Sequence, residues 1–196
     1  LEEIIATAQL SYPLVVKVVS TALPHKSDFG GVVLDVKNFS EFKIAVSRLY
    51  SSICKAVPKK RIEGILIQEM QFGLGEAIVG IRLDNLVGPV VAVGAGGLLA
   101  EIYKDVSIRP APVSTDIARN MIAEVRGFEI FRGYRGRPAG DLNALAELIS
   151  KISKLSRVSG IAEAEVNPVM VKSDGVVLLD GLIRINSGKS LLNKPR

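Results

Sequence analysis

The side chains best placed for chemistry lie near the C-terminal end of the chain. Residues 162–171 and 176–185 read as two strands joined by Lys172-Ser173-Asp174-Gly175, a hairpin turn signal. Glu163, Glu165 and Asn167 share one face of the first strand. Asp180 and Arg184 share a face of the second, whose apolar side is Val177, Leu179, Ile183 and Ile185. Pairing residue 171 with 176 sets Asn167 opposite Asp180, with Cβ atoms about 4.5–5.5 Å apart. Two oxygen donors at that spacing can hold one hard cation. Mg²⁺ takes few protein oxygens and completes its shell with phosphate and water. The alternative is a solvated polar face on a half-exposed sheet.

Lys17 interrupts the apolar run Leu14 to Val19 and shares a strand face with Val15 and Val19. A partly desolvated ammonium there needs an anion, for which a phosphate serves. An edge-strand lysine that blocks aggregation is the other reading. Ser20 to Gly30 is a polar loop, and Gly30 and Gly31 allow a close backbone approach to phosphate, although turns use such pairs constantly. His25 in that loop can accept a phosphoryl group on a neutral ring nitrogen, with Lys26 to balance charge and Asp28 to hold the other nitrogen. As a surface histidine it would do none of this. Glu69, Met70 and Glu76 flank the connection Gln71 to Gly75. That connection can hinge two lobes and present backbone groups to a base, with Glu76 accepting from ribose hydroxyls, or it can be plain loop polarity.

These residues need elements to position them. The sequence predicts strands at 14–19, 31–36 and 64–70, and a helix from Glu41 to about Ala56. Ser40 would cap that helix, and Phe42, Ala45, Val46 and Leu49 would form its buried face. Residues 76–84 alternate, with Ala77, Val79, Ile81 and Leu83 on one side. Residues 89–93 form a further short strand, and 99–111 is extended in part. Residues 1–10, 116–125 and 141–155 have helical spacing. Many strands with few helices indicate an α+β protein with largely antiparallel sheets.

The 196 residues suffice for one sizeable domain or two small lobes. One cysteine and one histidine exclude a disulfide framework, a cysteine-rich zinc site and a histidine-cluster metal site. Cys54 falls on the apolar side of its helix and reads as core. The formal charge of +5 suits anionic partners. Aromatics are only 5% and there is no tryptophan, which gives nucleic acid no stacking platform. No apolar stretch is long enough for a membrane span, and no signal pattern opens the chain. Gly94-Ala95-Gly96-Gly97 does not fit a dinucleotide fingerprint, and no Walker A sequence or G-x-S-x-G is present. The chain opens on Leu1, which is read as a sign of a missing beginning.

Several motifs resemble one family in order along nearly the whole chain. They are Tyr12 to Ser20, Pro24-His25-Lys26-Ser27-Asp28-Phe29-Gly30-Gly31-Val32, and Gly94 to Gly97 with Glu101, Lys104-Asp105-Val106 and Arg109. Gly133-Tyr134-Arg135-Gly136-Arg137-Pro138 and Glu165-Val166-Asn167-Pro168 with Asp180 complete the set. The first three resemble the nucleotide-binding region of ADP-forming acyl-CoA synthetases of the acetyl-CoA synthetase type, and the last two are further matches to that family. Succinyl-CoA synthetase beta chains share a looser version. The resemblance implies an ATP-grasp fold: two α+β lobes with mostly antiparallel sheets holding Mg-nucleotide between them. Residues 1–70 would be part of the first lobe, lacking its N-terminal portion, and 71–196 the second. The implied reaction converts acyl-CoA, ADP and phosphate reversibly to carboxylic acid, CoA and ATP.

By the same resemblance His25 relays the phosphoryl group as phosphohistidine. Lys17 contacts nucleotide phosphates, Gly30 and Gly31 cover them, and Glu69 with Met70 lines the adenine site. Glu76 binds ribose, and Asn167 with Asp180 holds Mg²⁺. The expected cofactors are Mg²⁺ and ATP/ADP. The expected partner is a CoA-binding alpha subunit or fused CoA-binding domain in a cytoplasmic hetero-oligomer, without nucleic acid or membrane. The chain departs from the family at Thr21, Glu165 and Gly181. A reading of another class is a nucleotide- or CoA-sensing ATP-grasp-like module fused to an acyltransferase, which a neighbouring acyltransferase domain would reveal. Another ATP-grasp carboxylate ligase is a third, although such enzymes do not need the histidine loop.

Overall fold

Leu14, Val16 and Val18 alternate along a strand, and each needs an apolar cover on the same side. A helix supplies it, with Phe42, Ala45, Leu49 and Ile53 at helical spacing. The computed structural model describes residues 9–23, 26–56, 61–97 and 103–186. The predicted helix over residues 1–10 therefore falls almost wholly outside the described residues, as does His25. The chain divides into two compact units, Leu1–Gln71 and Phe72–Arg196.

The first unit is a three-stranded antiparallel sheet in the order β2-β1-β3, formed by β1 (Leu14–Val19), β2 (Val32–Val36) and β3 (Gly64–Glu69). Helix α1 (Phe39–Ala56) covers the face carrying Leu14, Val16 and Val18. Burying a side chain such as Phe42, with 0% exposure, contributes about 1.5–3 kcal/mol. The helix begins two residues earlier than its apolar spacing suggests. Its cap is Asn38 rather than Ser40. The Glu41 amide donates to Asn38 Oδ1 at 3.0 Å, and the Glu41 carboxylate accepts from the Lys37 amide at 2.8 Å. That reciprocal pattern fixes the N-terminal turn, so the nearer serine is not used. Cys54 is half-buried.

The second unit is built on a six-stranded sheet of β4 (Gly75–Asp84), β5 (Gly88–Ala95), β6 (Val106–Pro110), β7 (Ile161–Lys172), β8 (Gly175–Leu178) and β9 (Gly181–Ile185). Its order is β6-β5-β4-β7-β8, with β9 also paired to β7, and every pairing is antiparallel. Helices α2 (Thr115–Glu124) and α3 (Leu142–Ser153) and a 3₁₀ turn at Arg126–Phe131 cover one face. Ala77, Val79, Val91, Val93, Ala164 and Val169 supply the sheet side of that core. Leu83, predicted to share it, is 47% exposed, because the core ends at Ile81 and Leu83 runs on toward the hairpin tip. Among the described residues, no helix is long and apolar enough to cross a membrane.

Irregularities in the sheet were not predicted, and two of them bear on the candidate site. Ala77 pairs with Val169 while Val79 pairs with Val166, so β7 has one residue more than β4 at Asn167-Pro168. This bulge reverses the alternation. Ala164 and Val166 face the core before it, and Val169 and Val171 face it afterwards. Met170, and Val177 paired with it, consequently lie on the opposite face, which corrects the placing of Val177 with Ile183 and Ile185. The second irregularity splits the expected strand 176–185 into β8 and β9 around Leu179-Asp180.

Candidate nucleotide site

In the first unit the central strand β1 carries Lys17, which is only 6% exposed. Lys17 pairs with Val32 on one side and Leu66 on the other. Strand alternation therefore sets Lys17, Val15, Leu66 and Gln68 on the face opposite helix α1. A lysine so enclosed is a central-strand residue, so the edge-strand explanation does not apply.

The loop before β2 closes beside it. Gly31 accepts through its carbonyl from the Val18 amide at 2.9 Å, which fastens the loop to the residue after Lys17. A Cβ on Gly31 would lie 2.7 Å from the Lys26 carbonyl oxygen and 2.8 Å from Val18 Cγ1, so only glycine fits. Gly30 has φ +67°, the left-handed region. The amides of both glycines are engaged within the loop, Gly30 to Ser27 O at 3.0 Å and Gly31 to Lys26 O at 2.8 Å. Their part here is to shape the loop against β1.

Glu69 and Met70 end β3. The Met70 amide donates to Pro13 O at 2.9 Å, and Glu69 pairs with Leu14. The Glu69 carboxylate accepts from the Ser11 amide at 2.7 Å. Continuing the alternation, Met70 falls on the face of Lys17 and Glu69 on the other. Three residues of strand, about 10 Å, separate Lys17 from the Leu14–Glu69 pair.

The second unit carries Glu76, Asn167 and Asp180. The Asn167 amide donates to Asp180 O at 3.0 Å, and Leu179 N donates to Pro168 O at 3.0 Å. The register predicted for the hairpin holds on both sides of the break, with Val171 opposite Val176 and Glu163 opposite Arg184. Asn167 is exposed and Asp180 half-buried. The Asn167 side-chain amide and the Asp180 carboxylate, on residues joined by that main-chain bond, are hard oxygen donors of the kind Mg²⁺ takes together with phosphate and water. Among the described residues, no group of three or more histidine, cysteine, aspartate or glutamate side chains could hold a metal by itself.

Glu76 opens β4 and pairs with Met170. Its neighbour is the glycine run that sequence reasoning set aside. Gly96 N donates to Glu76 O at 2.7 Å, and a Cβ on Gly96 would lie 2.7 Å from Glu76 Cβ. The signal was available as glycines directly after an apolar strand, but spacing alone does not say what the backbone approaches. The sheet face away from the helices also holds a depression of about 270 Å³ lined by Ile78, Gly80, Ala92, Ile108, Glu163 and Glu165. Glu165 stands opposite Gly80, and Glu163 forms an ion pair with Arg184 at 2.8 Å.

Two carboxylates, Asp105 of the familiar motifs and Glu124 beside Arg109, are structural. Asp105 accepts from Arg126 N at 3.2 Å and Gly127 N at 2.6 Å, holding the start of the 3₁₀ turn. Glu124 accepts from Ser107 Oγ at 2.6 Å and pairs with Arg109, on the helix-covered side of the sheet. The Ser107 hydroxyl first, then Arg109, lower the Glu124 carboxyl below its ordinary value.

A sequence profile of the ATP-grasp domain matches residues 1–185. The chain is 41% identical over 172 residues to an ADP-forming acetate–CoA ligase I of Archaeoglobus fulgidus, covering 87% of this chain and 25% of that protein. The chain thus spans about a quarter of the length of such single-chain relatives. It is 35% identical to the beta subunit of an ADP-forming acetate–CoA ligase I of Pyrococcus furiosus, covering 89% of this chain and 75% of that one. Among solved structures it resembles an acetyl-coenzyme A synthetase of Ca. Korarchaeum cryptofilum in complex with coenzyme A and Ca-AMPCP. The TM-score is 0.86 and the identity 33%, over 94% of this chain and 81% of that one. A further structure of that enzyme holds coenzyme A and Mg-AMPPCP, with its phosphohistidine segment pointing towards the nucleotide-binding site. It matches with a TM-score of 0.75 and 29% identity, over 92% of this chain and 80% of that one. With antiparallel sheets, profile and relatives in agreement, the chain belongs to the ATP-grasp family, in the branch that includes the beta subunits of ADP-forming acetate–CoA ligases.

Proposed function

We propose that the chain is the nucleotide-binding component of an ADP-forming acyl-CoA synthetase, which makes ATP and a carboxylic acid from acyl-CoA, ADP and phosphate. The observation that carries this reading is the Asn167–Asp180 main-chain bond. It joins the main chains of two residues that carry hard oxygen donors, in a chain 35% identical to a beta-subunit relative over most of its length. Residues 1–70 act as part of one ATP-grasp lobe and 71–196 as the other.

In the first unit Lys17 holds nucleotide phosphate, beside the loop that Gly30 and Gly31 shape. Its burial supports this, because a desolvated ammonium interacts strongly with an anion. Met70, on the same face, lines the adenine, with Glu69 contributing main chain. In the second unit Glu76 accepts from the ribose hydroxyls, and Asn167 with Asp180 holds Mg²⁺. Mg²⁺ held there by Asn167 and Asp180 would supply positive charge to offset that of the phosphates.

His25 takes over the phosphoryl group that an acyl phosphate on a CoA-binding partner has passed to a histidine there, and delivers it to ADP. A neutral imidazole nitrogen attacks phosphorus as the P–N bond to the partner's histidine breaks. The nitrogen then yields the group to the β-phosphate oxygen of ADP, forming the new P–O bond of ATP. The partner is a CoA-binding subunit or fused domain, in a cytoplasmic hetero-oligomer. The test combines the chain with that partner, Mg-ADP, phosphate and a panel of acyl-CoAs, and follows ATP and free CoA. Stoichiometric formation of both supports the reading. Nucleotide binding with no ATP from any acyl-CoA overturns it.

A further inference from the structure

The loop between the 3₁₀ turn and α3 has a composition and conformation that the nucleotide site does not use. Residues 126–137 carry Arg126, Arg132, Arg135 and Arg137 against one acid, Glu129, which concentrates three net charges of the chain's +5 in twelve residues. Residues 132 and 134–139 are exposed. Of Arg132, Arg135 and Arg137, only Arg132 has an ion pair among the described residues, with Glu129 at 3.0 Å.

The loop is nonetheless held in shape. Gly140 N donates to Phe131 O at 2.8 Å and Arg132 bridges to Ala139, so its two ends are pinned together over the buried Phe131 ring. Within it Gly136 N donates to Gly133 O at 3.2 Å, and Arg137 N donates to Tyr134 O at 3.3 Å. Arg135 has φ 53° and ψ 40°, a left-handed conformation that glycine or asparagine adopts more easily. Its guanidinium lies 5.4 Å from the centroid of the Tyr134 ring, which is itself 55% exposed. The chain therefore keeps an arginine where the backbone favours glycine, and stacks it on an exposed aromatic ring. No packing requirement accounts for that choice.

We propose that the loop 132–139 is a docking surface for an acidic face of the CoA-binding partner protein, with Arg135, Arg137 and Tyr134 as its contact residues. This rests on the synthetase reading above. Arginine and tyrosine are the residue types that dominate binding at protein interfaces, and all three cations here are arginine. Pinned turns remove much of the ordering cost that a free loop would meet on binding. Exposed guanidinium groups on a loop, with no enclosing wall, suit a carboxylate-bearing surface rather than one enclosed phosphate.

The test measures the affinity of the chain for the host's CoA-binding subunit at low and moderate salt, with Mg-ADP binding measured in parallel. Paired substitution R135E/R137E is expected to weaken the complex by about tenfold or more and to flatten its salt dependence. Mg-ADP affinity should stay within about twofold of wild type, since the loop makes no contact with the nucleotide in this reading. R135G relieves the backbone, so its thermal midpoint should equal or exceed that of wild type while the complex weakens. A complex that forms and survives charge reversal overturns the docking surface and leaves the synthetase reading standing. A wild-type chain that forms no complex overturns both. Binding of inorganic phosphate, coenzyme A or an oligonucleotide that is lost in R135E/R137E, with the protein complex intact, also overturns the docking surface.

Discussion

The backbone N–H of Asn167 donates to the carbonyl oxygen of Asp180 at 3.0 Å, where the outer strand breaks between Leu178 and Gly181. The two residues proposed to hold Mg²⁺ are thus joined through main chain. Their relative position is set by the fold rather than by the side chains that would meet the ion. Side-chain substitution can therefore remove a ligand without removing the link.

Asp180→Asn keeps the main-chain bond and nearly the same volume. Mg-ADP binding, measured by calorimetry, is expected to weaken by about tenfold or more, because a charged oxygen ligand is lost. ADP measured without Mg²⁺ should bind wild type and variant alike. Equal Mg-ADP affinity in the two proteins would remove Asp180 from the metal site.

Lys17→Met tests the phosphate contact. A hydrogen bond to a charged group is worth about 1.5–3 kcal/mol, so ADP affinity should fall roughly tenfold to a hundredfold. Adenosine, which has no phosphate, should bind the variant as it binds wild type. A parallel loss for both ligands would mean that Lys17 supports the sheet and not the phosphates.

Ser153 holds the second unit together from within. Its hydroxyl, 0% exposed, accepts from Val113 N at 3.0 Å and donates to Ser150 O at 2.7 Å. Ser153→Ala leaves a buried amide without an acceptor and should cost about 1–3 kcal/mol in urea unfolding. A change near zero would show that the segment around Val113 relaxes to find another partner.

Glu124 links stability to pH. Its folded-state carboxyl is lowered from 4.5 by Ser107 and then Arg109. The stabilisation is therefore complete above 4.5 and is lost as the pH falls through the lower folded value. Thermal midpoints of wild type and Glu124→Gln should differ most at neutral pH and converge in acid. A gap that widens on acidification would contradict the assignment.

The parts of the fold readable from sequence are those set by local period. Ala77 to Ile81 shows period two and Phe42 to Ile53 period 3.6, while Leu14 to Val19 is a short apolar run of strand length. The hairpin register was readable as well, since an even-length loop sets Val171 against Val176 and the pairs as far as Glu163 with Arg184 follow. What stayed hidden depended on neighbouring strands. The bulge at Asn167-Pro168 exists only relative to β4, and it sends Met170 and Val177 to the face that alternation had denied them. The approach of Gly96 to Glu76 joins residues twenty apart in sequence and has no local signature. Asn38 outcompeted Ser40 as a cap because Glu41, three residues on, completes the reciprocal pair, a pattern that was legible and overlooked.

The most direct test of the account is ATP formation by His25→Ala with its CoA-binding partner, acyl-CoA, Mg-ADP and phosphate. The account predicts no ATP above background and a Mg-ADP isotherm that overlays the wild-type curve. Turnover at the wild-type rate would contradict it, because the phosphoryl group would then reach ADP without the imidazole.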